Sequence, residues 1–136
     1  MTNTLDLIKS APQTLTVDAS LIAAAIDAAR DCAIVCQACA SACLSEDSVG
    51  DMVTCIRDDL DCADLCEVTA KHLARLNRSD KQLTLSVLAA CIEACVECAA
   101  SCAPHGDHHE HCRLCAEACR RCEEACQALV DALKAA

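Results

Sequence analysis

A chain of 136 residues with 54% apolar side chains can build one domain with a real core and is short for two. Phe, Tyr and Trp are all absent, so Ala, Leu, Ile, Val and Cys must fill that core; two Gly and two Pro give little of the punctuation that β-turns need. Eleven Lys and Arg against 21 Asp and Glu leave a formal charge of −10, which excludes nucleic acid as a partner because phosphates demand a basic surface.

The expected fold class is therefore all-α. Residues 1–13, MTNTLDLIKSAPQ, form an N-terminal segment with room for a short helix, and residues 14–136 form the main body. That opening carries no basic leader and no apolar run of signal-peptide length, so the expected compartment is the cytoplasm, where thiols stay reduced. No membrane span is expected either, since LIAAAIDAA is cut by Asp27 and Arg30.

Three breaks, SEDSVG at 45–50, LNRSD at 76–80 and APHGDHHE at 103–110, divide the main body into four long helical segments. The first begins between Thr14 and Ser20 and carries Cys32, Cys36, Cys39 and Cys43. The second opens near Gly50 and Asp51 and carries Cys55, Cys62 and Cys66. Ser79 with Gln82 three residues on reads as a capping box for the third, whose Cys91, Cys95, Cys98 and Cys102 repeat the first segment's steps of four, three and four. Asp107 with Glu110 reads as the capping box of the fourth, expected to start near His108 and carrying Cys112, Cys115, Cys119, Cys122 and Cys126.

Steps of three and four place residues on one stripe of a helix, so all sixteen thiols point at one interior. Short connections predict an antiparallel, up-down-up-down four-helix bundle. The stripes continue as Ile22, Ala25 and Ala29, as Thr69, Leu73 and Leu76, as Leu88, and as Leu129 and Leu133, which together make an apolar plug at one end. The other end collects Cys43, Met52, Cys55, Cys102, Cys112 and a loop with four histidines, and reads as the mouth. On the second segment the stripe position between Cys55 and Cys62 falls at Asp59, with Asp58 beside it. A carboxylate is costly to bury unpaired, so the expectation is a slight rotation that takes both Asp to solvent. A ligand or hydrogen-bonding role for one of them is the alternative. Arg113, Arg120 and Arg121 read as surface partners of nearby Glu, and His72, toward the plugged end, is given no role.

Sulfur chemistry narrows the function. Cβ atoms four residues apart on a helix lie about 5–6 Å apart, whereas a disulfide needs roughly 3.5–4.5 Å. Intrahelical bridges would therefore distort the helix, and a reducing compartment disfavours bridges between helices. Ala, Val or Leu would fill the same space without the oxidation hazard, so sulfur itself is wanted. Thiolates are soft ligands that favour Cu(I), Zn(II) or iron–sulfur clusters. Structural zinc takes four ligands, usually from turns that curl around the ion, and iron–sulfur spacings are not matched. A straight helix presents two sulfurs at a time, which suits a monovalent d¹⁰ ion held by two or three of them. Uncharged thiols let the empty chain stay folded, and metal entry displaces their protons. At the mouth, His108 and His111, each four residues before a cysteine, are candidate ligands, with His105 and His109 in or near the loop. Met52 adds a soft thioether one turn before Cys55.

The repeats CAIVCQACASAC, CIEACVECAASC and CRLCAEACRRCEEAC, with CADLC and the loop HGDHHEH, resemble the cytosolic copper storage proteins over residues 18 to 134. That resemblance implies a Cu(I) store inside a Cys-lined four-helix bundle, entry past His and Met at one end, and a homotetramer. The gap at Asp58 and Asp59 departs from the pattern. No enzyme is expected, because no nucleophile with a neighbouring base is legible. A zinc or general soft-metal sink and a thiol redox protein are the alternatives.

Overall fold

The structure is a computed structural model that describes residues 3–75 and 81–136. Among the described residues every regular element is helical: α1 (Thr4–Ser10), α2 (Ala19–Leu44), α3 (Val53–Ala74), α4 (Lys81–Cys102) and α5 (Glu110–Ala135). Short 3₁₀ turns at Val49–Met52 and Ala103–His105 lead into α3 and follow α4. The break at 76–80 lies outside the described residues, and so do the Ser79 half of the expected capping box and Leu76.

Local chemistry accounts for the helix starts. Asp18 caps α2 by accepting the Ser20 backbone N–H at 2.9 Å, which satisfies one of the free donors of the first turn. The 3₁₀ turn delays α3 to Val53, three residues after Gly50. Asp107 does not cap α5. The backbone N–H groups of His108 and His109 donate to the His105 carbonyl at 3.1 and 2.9 Å, which keeps the chain in the loop until His109. Glu110 then ion-pairs with Arg113 instead of reaching back, and α5 begins at Glu110, two residues later than the sequence suggested.

α2 packs against α3 and α5, and α4 packs against the same two helices, so the four long helices close on a shared interior. Small Ala and Cys side chains permit this closeness; Ala25, Ala29 and Leu88 are fully buried, and Ile22, Thr69, Leu73 and Leu129 nearly so. Leu133 is half-buried. α1 lies across α2, with the Thr4 hydroxyl donating to Asp27 at 2.6 Å. Its Ile8 enters the same core.

One expectation about membranes needs correction. By length and composition Lys81–His105 is apolar enough to cross a bilayer. Much of that apolar character comes from Cys91, Cys95, Cys98 and Cys102, which are buried against the other helices, while Glu93 and Glu97 face outward.

Candidate metal centre

All sixteen cysteines are free thiols, and all are buried at 1% exposure or less. The stripes therefore converge as the spacing requires. Along single helices, neighbouring sulfurs lie close: Cys32 and Cys36 at 3.7 Å, Cys62 and Cys66 at 3.8 Å, Cys122 and Cys126 at 4.0 Å. Between helices, Cys36 meets Cys115 and Cys119 at 3.6 Å, Cys62 meets Cys95 at 3.8 Å, and Cys66 meets Cys91 at 3.8 Å.

These contacts assemble four-sulfur groups whose ligand atoms lie within 4.8 Å of one another: Cys32, Cys66, Cys95 and Cys122; Cys32, Cys36, Cys62 and Cys119; Cys36, Cys98, Cys115 and Cys119. Members are shared between groups, so the sites form a continuous column. A thiophilic ion bound at about 2.3 Å, the zinc–thiolate length, would space its sulfurs about 3.8 Å apart in a tetrahedron and about 4.0 Å in a triangle. The observed separations of 3.6–4.0 Å already match.

Toward the mouth the groups take other donors. Cys39, Cys43 and Cys112 gather with His111, whose Nδ1 lies 3.4 Å from Cys39 Sγ and 3.5 Å from Cys112 Sγ. Met52 is fully buried at the entry to α3, its sulfur 3.9 Å from the Ser48 hydroxyl. His105 and His109 are half-buried in and after the connecting loop; His108 is exposed and lies ahead of α5, off the cysteine stripe. His72 is buried at the plugged end, its Nε2 2.9 Å from Thr84 Oγ1.

The rotation expected of α3 does not occur. Asp59 is fully buried, and only Asp58 reaches the surface, where its carboxylate accepts from Ser101. Asp59 Oδ1 accepts from Cys98 at 3.0 Å and from Cys102 and Cys115 at 3.2 Å, so three thiols replace the water that burial removes. Asp59 also joins Cys39, Cys102 and Cys115 in a further ligand group. The signal was present in the spacing: 55, 59, 62 and 66 continue the four-three-four rhythm with a carboxylate in place of a thiol.

Burial pushes the Asp59 carboxyl up to about 8, with the charge on Cys115 adding and the Cys98 hydrogen bond opposing. Hydrogen bonds from Cys102 and Cys39 hold the Cys55 thiol well below its ordinary value, and the Cys55 and Cys102 sulfurs are only 2.8 Å apart. Burial, then the charge on Cys55, pushes Cys112 up to about 11. Deeper in the column, hydrogen bonds to neighbouring thiols, led by Cys115 for Cys36 and by Cys122 for Cys66 and Cys95, raise those three. One S–H donating to another sulfur favours charge on the acceptor, and burial limits how many sulfurs can carry it.

A family profile described as "Copper storage protein" matches residues 18–131. The chain belongs to the copper storage protein family. It is similar to the copper storage protein Ccsp from Streptomyces lividans loaded with 10 copper equivalents, with a TM-score of 0.92, 48% identity, and coverage of 95% of this chain and 98% of that one. A cytosolic copper storage protein from the same organism, in a five-copper state, aligns with a TM-score of 0.80 and 50% identity over 82% of this chain and 93% of that one. A comparison with curated proteins finds no match. As the family name requires, the donor set fits a soft ion: sixteen buried thiols and the buried Met52 thioether, with the His111 imidazole and the Asp59 carboxyl in contact with the thiols.

Proposed function

We propose that this copper storage protein holds many Cu(I) ions along the thiol column of a cytoplasmic, antiparallel four-helix bundle formed by residues 14–136. The N-terminal segment 1–13 is proposed as an appendage to that bundle, and its helix α1 docks on the side. The observation that carries the choice of ion is the charge of the interior. Among the described residues the buried polar side chains are Asp59, Thr69, His72 and Thr84, with no Lys or Arg to offset thiolates. A divalent ion in a four-thiolate site leaves two excess negative charges, and several such sites in one apolar core would be costly. A monovalent ion shared between bridging thiolates leaves each sulfur neutralised. The antiparallel reading is supported by sulfur contacts whose numbers rise on one helix as they fall on the next: Cys55 to Cys102, Cys62 to Cys95 and Cys66 to Cys91.

Every cysteine is proposed as a ligand, and His111 and Met52 as donors at the entrance. His105, His108 and His109 lie around the same opening as outer capture groups. Asp59 offers a carboxyl oxygen in the middle of the column, kept protonated by burial until pH nears 8. Each thiol that becomes a ligand gives up its proton, so uptake tightens as pH rises and acid releases copper. A homotetramer is proposed on the family resemblance, with exposed apolar side chains such as Ile34 and Val68 available for contact between copies. Storage requires no turnover, and the protein is proposed not to be an enzyme.

Single Cys→Ser variants test the reading through their copper capacity. Cys119 belongs to two of the four-sulfur groups, whereas Cys126 meets Cys122 at the edge of the column. Capacity should fall by a fraction in each variant and further for Cys119→Ser than for Cys126→Ser. Loss of all uptake from one substitution would point to a single redox centre, and tighter binding of Zn(II) at higher capacity would point to a zinc sink.

A further inference from the structure

Glu46 stands outside the thiol column, yet it faces two of the half-buried histidines at the mouth, His109 and His111. Its Oε1 lies 3.2 Å from His111 Nε2 and its Oε2 lies 3.3 Å from His109 Nδ1. The backbone fixes both sides of this contact. Glu46 sits one residue beyond the C-cap of α2, with its N–H donating to the Cys43 carbonyl at 3.2 Å, and His109 forms the N-cap of α5. The two imidazole rings stack with centroids 5.6 Å apart. One carboxylate therefore ties the end of the helix that carries Cys39 and Cys43 to the start of the helix that carries Cys112.

We propose that Glu46 is the positioning residue of the copper entrance, accepting the Nε2–H of His111 so that the His111 Nδ1 lone pair faces Cys39 and Cys112. The proposal rests on the reading of His111 as an entrance ligand. A neutral imidazole carries one N–H, and an ionised carboxylate can only accept, so a bond between Nε2 and Glu46 places the proton on Nε2. The other ring nitrogen is then the donor atom available to a metal, and it is the one 3.4 Å from Cys39 and 3.5 Å from Cys112. The same bond sets the ring plane, as carboxylates behind metal-binding histidines generally do. By the same logic Glu46 places the proton of His109 on Nδ1 and leaves its Nε2 as the free donor.

Two readouts on the full-length, reduced protein under anaerobic conditions test this. In the apo protein at neutral pH, ring ¹⁵N shifts should show His111 as the neutral Nε2–H tautomer, and Glu46→Ala should shift it toward a mixture. Cu(I) uptake from a coloured chelate should slow about 10-fold or more in Glu46→Ala, the size usual for loss of such a partner. Glu46→Gln, whose amide oxygen can still accept one N–H, should fall between the two. Adding Glu46→Ala to His111→Ala should slow uptake much less than it slows the parent, since only the Glu46–His109 contact is then left to lose. A proton on His111 Nδ1 in the parent, or equal slowing by Glu46→Ala with and without His111, would overturn the proposal. If the tautomer responds but neither single variant slows uptake, the positioning stands and the entrance reading beneath it falls.

Discussion

Replacing Asp59 with Asn should make the apo protein more stable at pH 8 while leaving it close to the parent at pH 4. Asp59 is fully buried, and burial raises its carboxyl from 3.8 to about 8. The folded chain therefore keeps a proton that the unfolded chain releases over that interval. A group raised in this way contributes its full stability below pH 3.8 and loses it as pH climbs to about 8. Across the window the loss reaches roughly 5 kcal/mol. Asn keeps a carbonyl to accept the thiols of Cys98, Cys102 and Cys115 but has nothing to titrate. Thermal unfolding of both apo proteins under reducing conditions, repeated across pH, checks this. The difference between the two curves isolates Asp59 from the cysteines, and parallel curves would contradict a buried, neutral carboxyl.

The second large effect lies at the plugged end. Leu88 is fully buried below Cys91 in the chain, on a stripe position with no sulfur of its own. Leu88→Ala should destabilise the apo protein by about 2–5 kcal/mol, through lost transfer energy and the cavity left behind. That corresponds to a fall in Tm on the order of 10 °C. Copper capacity should stay at the parent value, because every thiol remains in place. Loading should also recover much of the lost Tm, since an ion that binds only the folded chain stabilises it by mass action. Calorimetry on apo and loaded forms gives both numbers. A variant that held less copper would mean that the plug shapes the column as well as sealing it.

The interior was legible in the sequence because a helix turns a spacing rule into a direction. Steps of three and four allowed one stripe per segment, and Cys36, Cys98, Cys115 and Cys119 from three helices do meet at one place. Asp59 was misjudged because an unpaired carboxylate is expensive to bury, and the spacing gave no count of the thiol donors that would face it. The start of α5 was set two residues early. Asp107 and Glu110 have the right residue types for a cap, but backbone bonds to the His105 carbonyl hold the loop until His109. Glu46 carried no signal at all. Its partners are more than sixty residues away, and only the packing of α2 on α5 brings them together.

Anaerobic titration of the fully reduced protein with Cu(I), counting bound metal and reactive thiols at each addition, tests the thiol column most directly. Many ions should bind per chain, reactive thiols should disappear progressively until none of the sixteen remains, and the protons released should rise in step with the copper bound. Saturation at one or two ions with most thiols still reactive would contradict a store built from all of them.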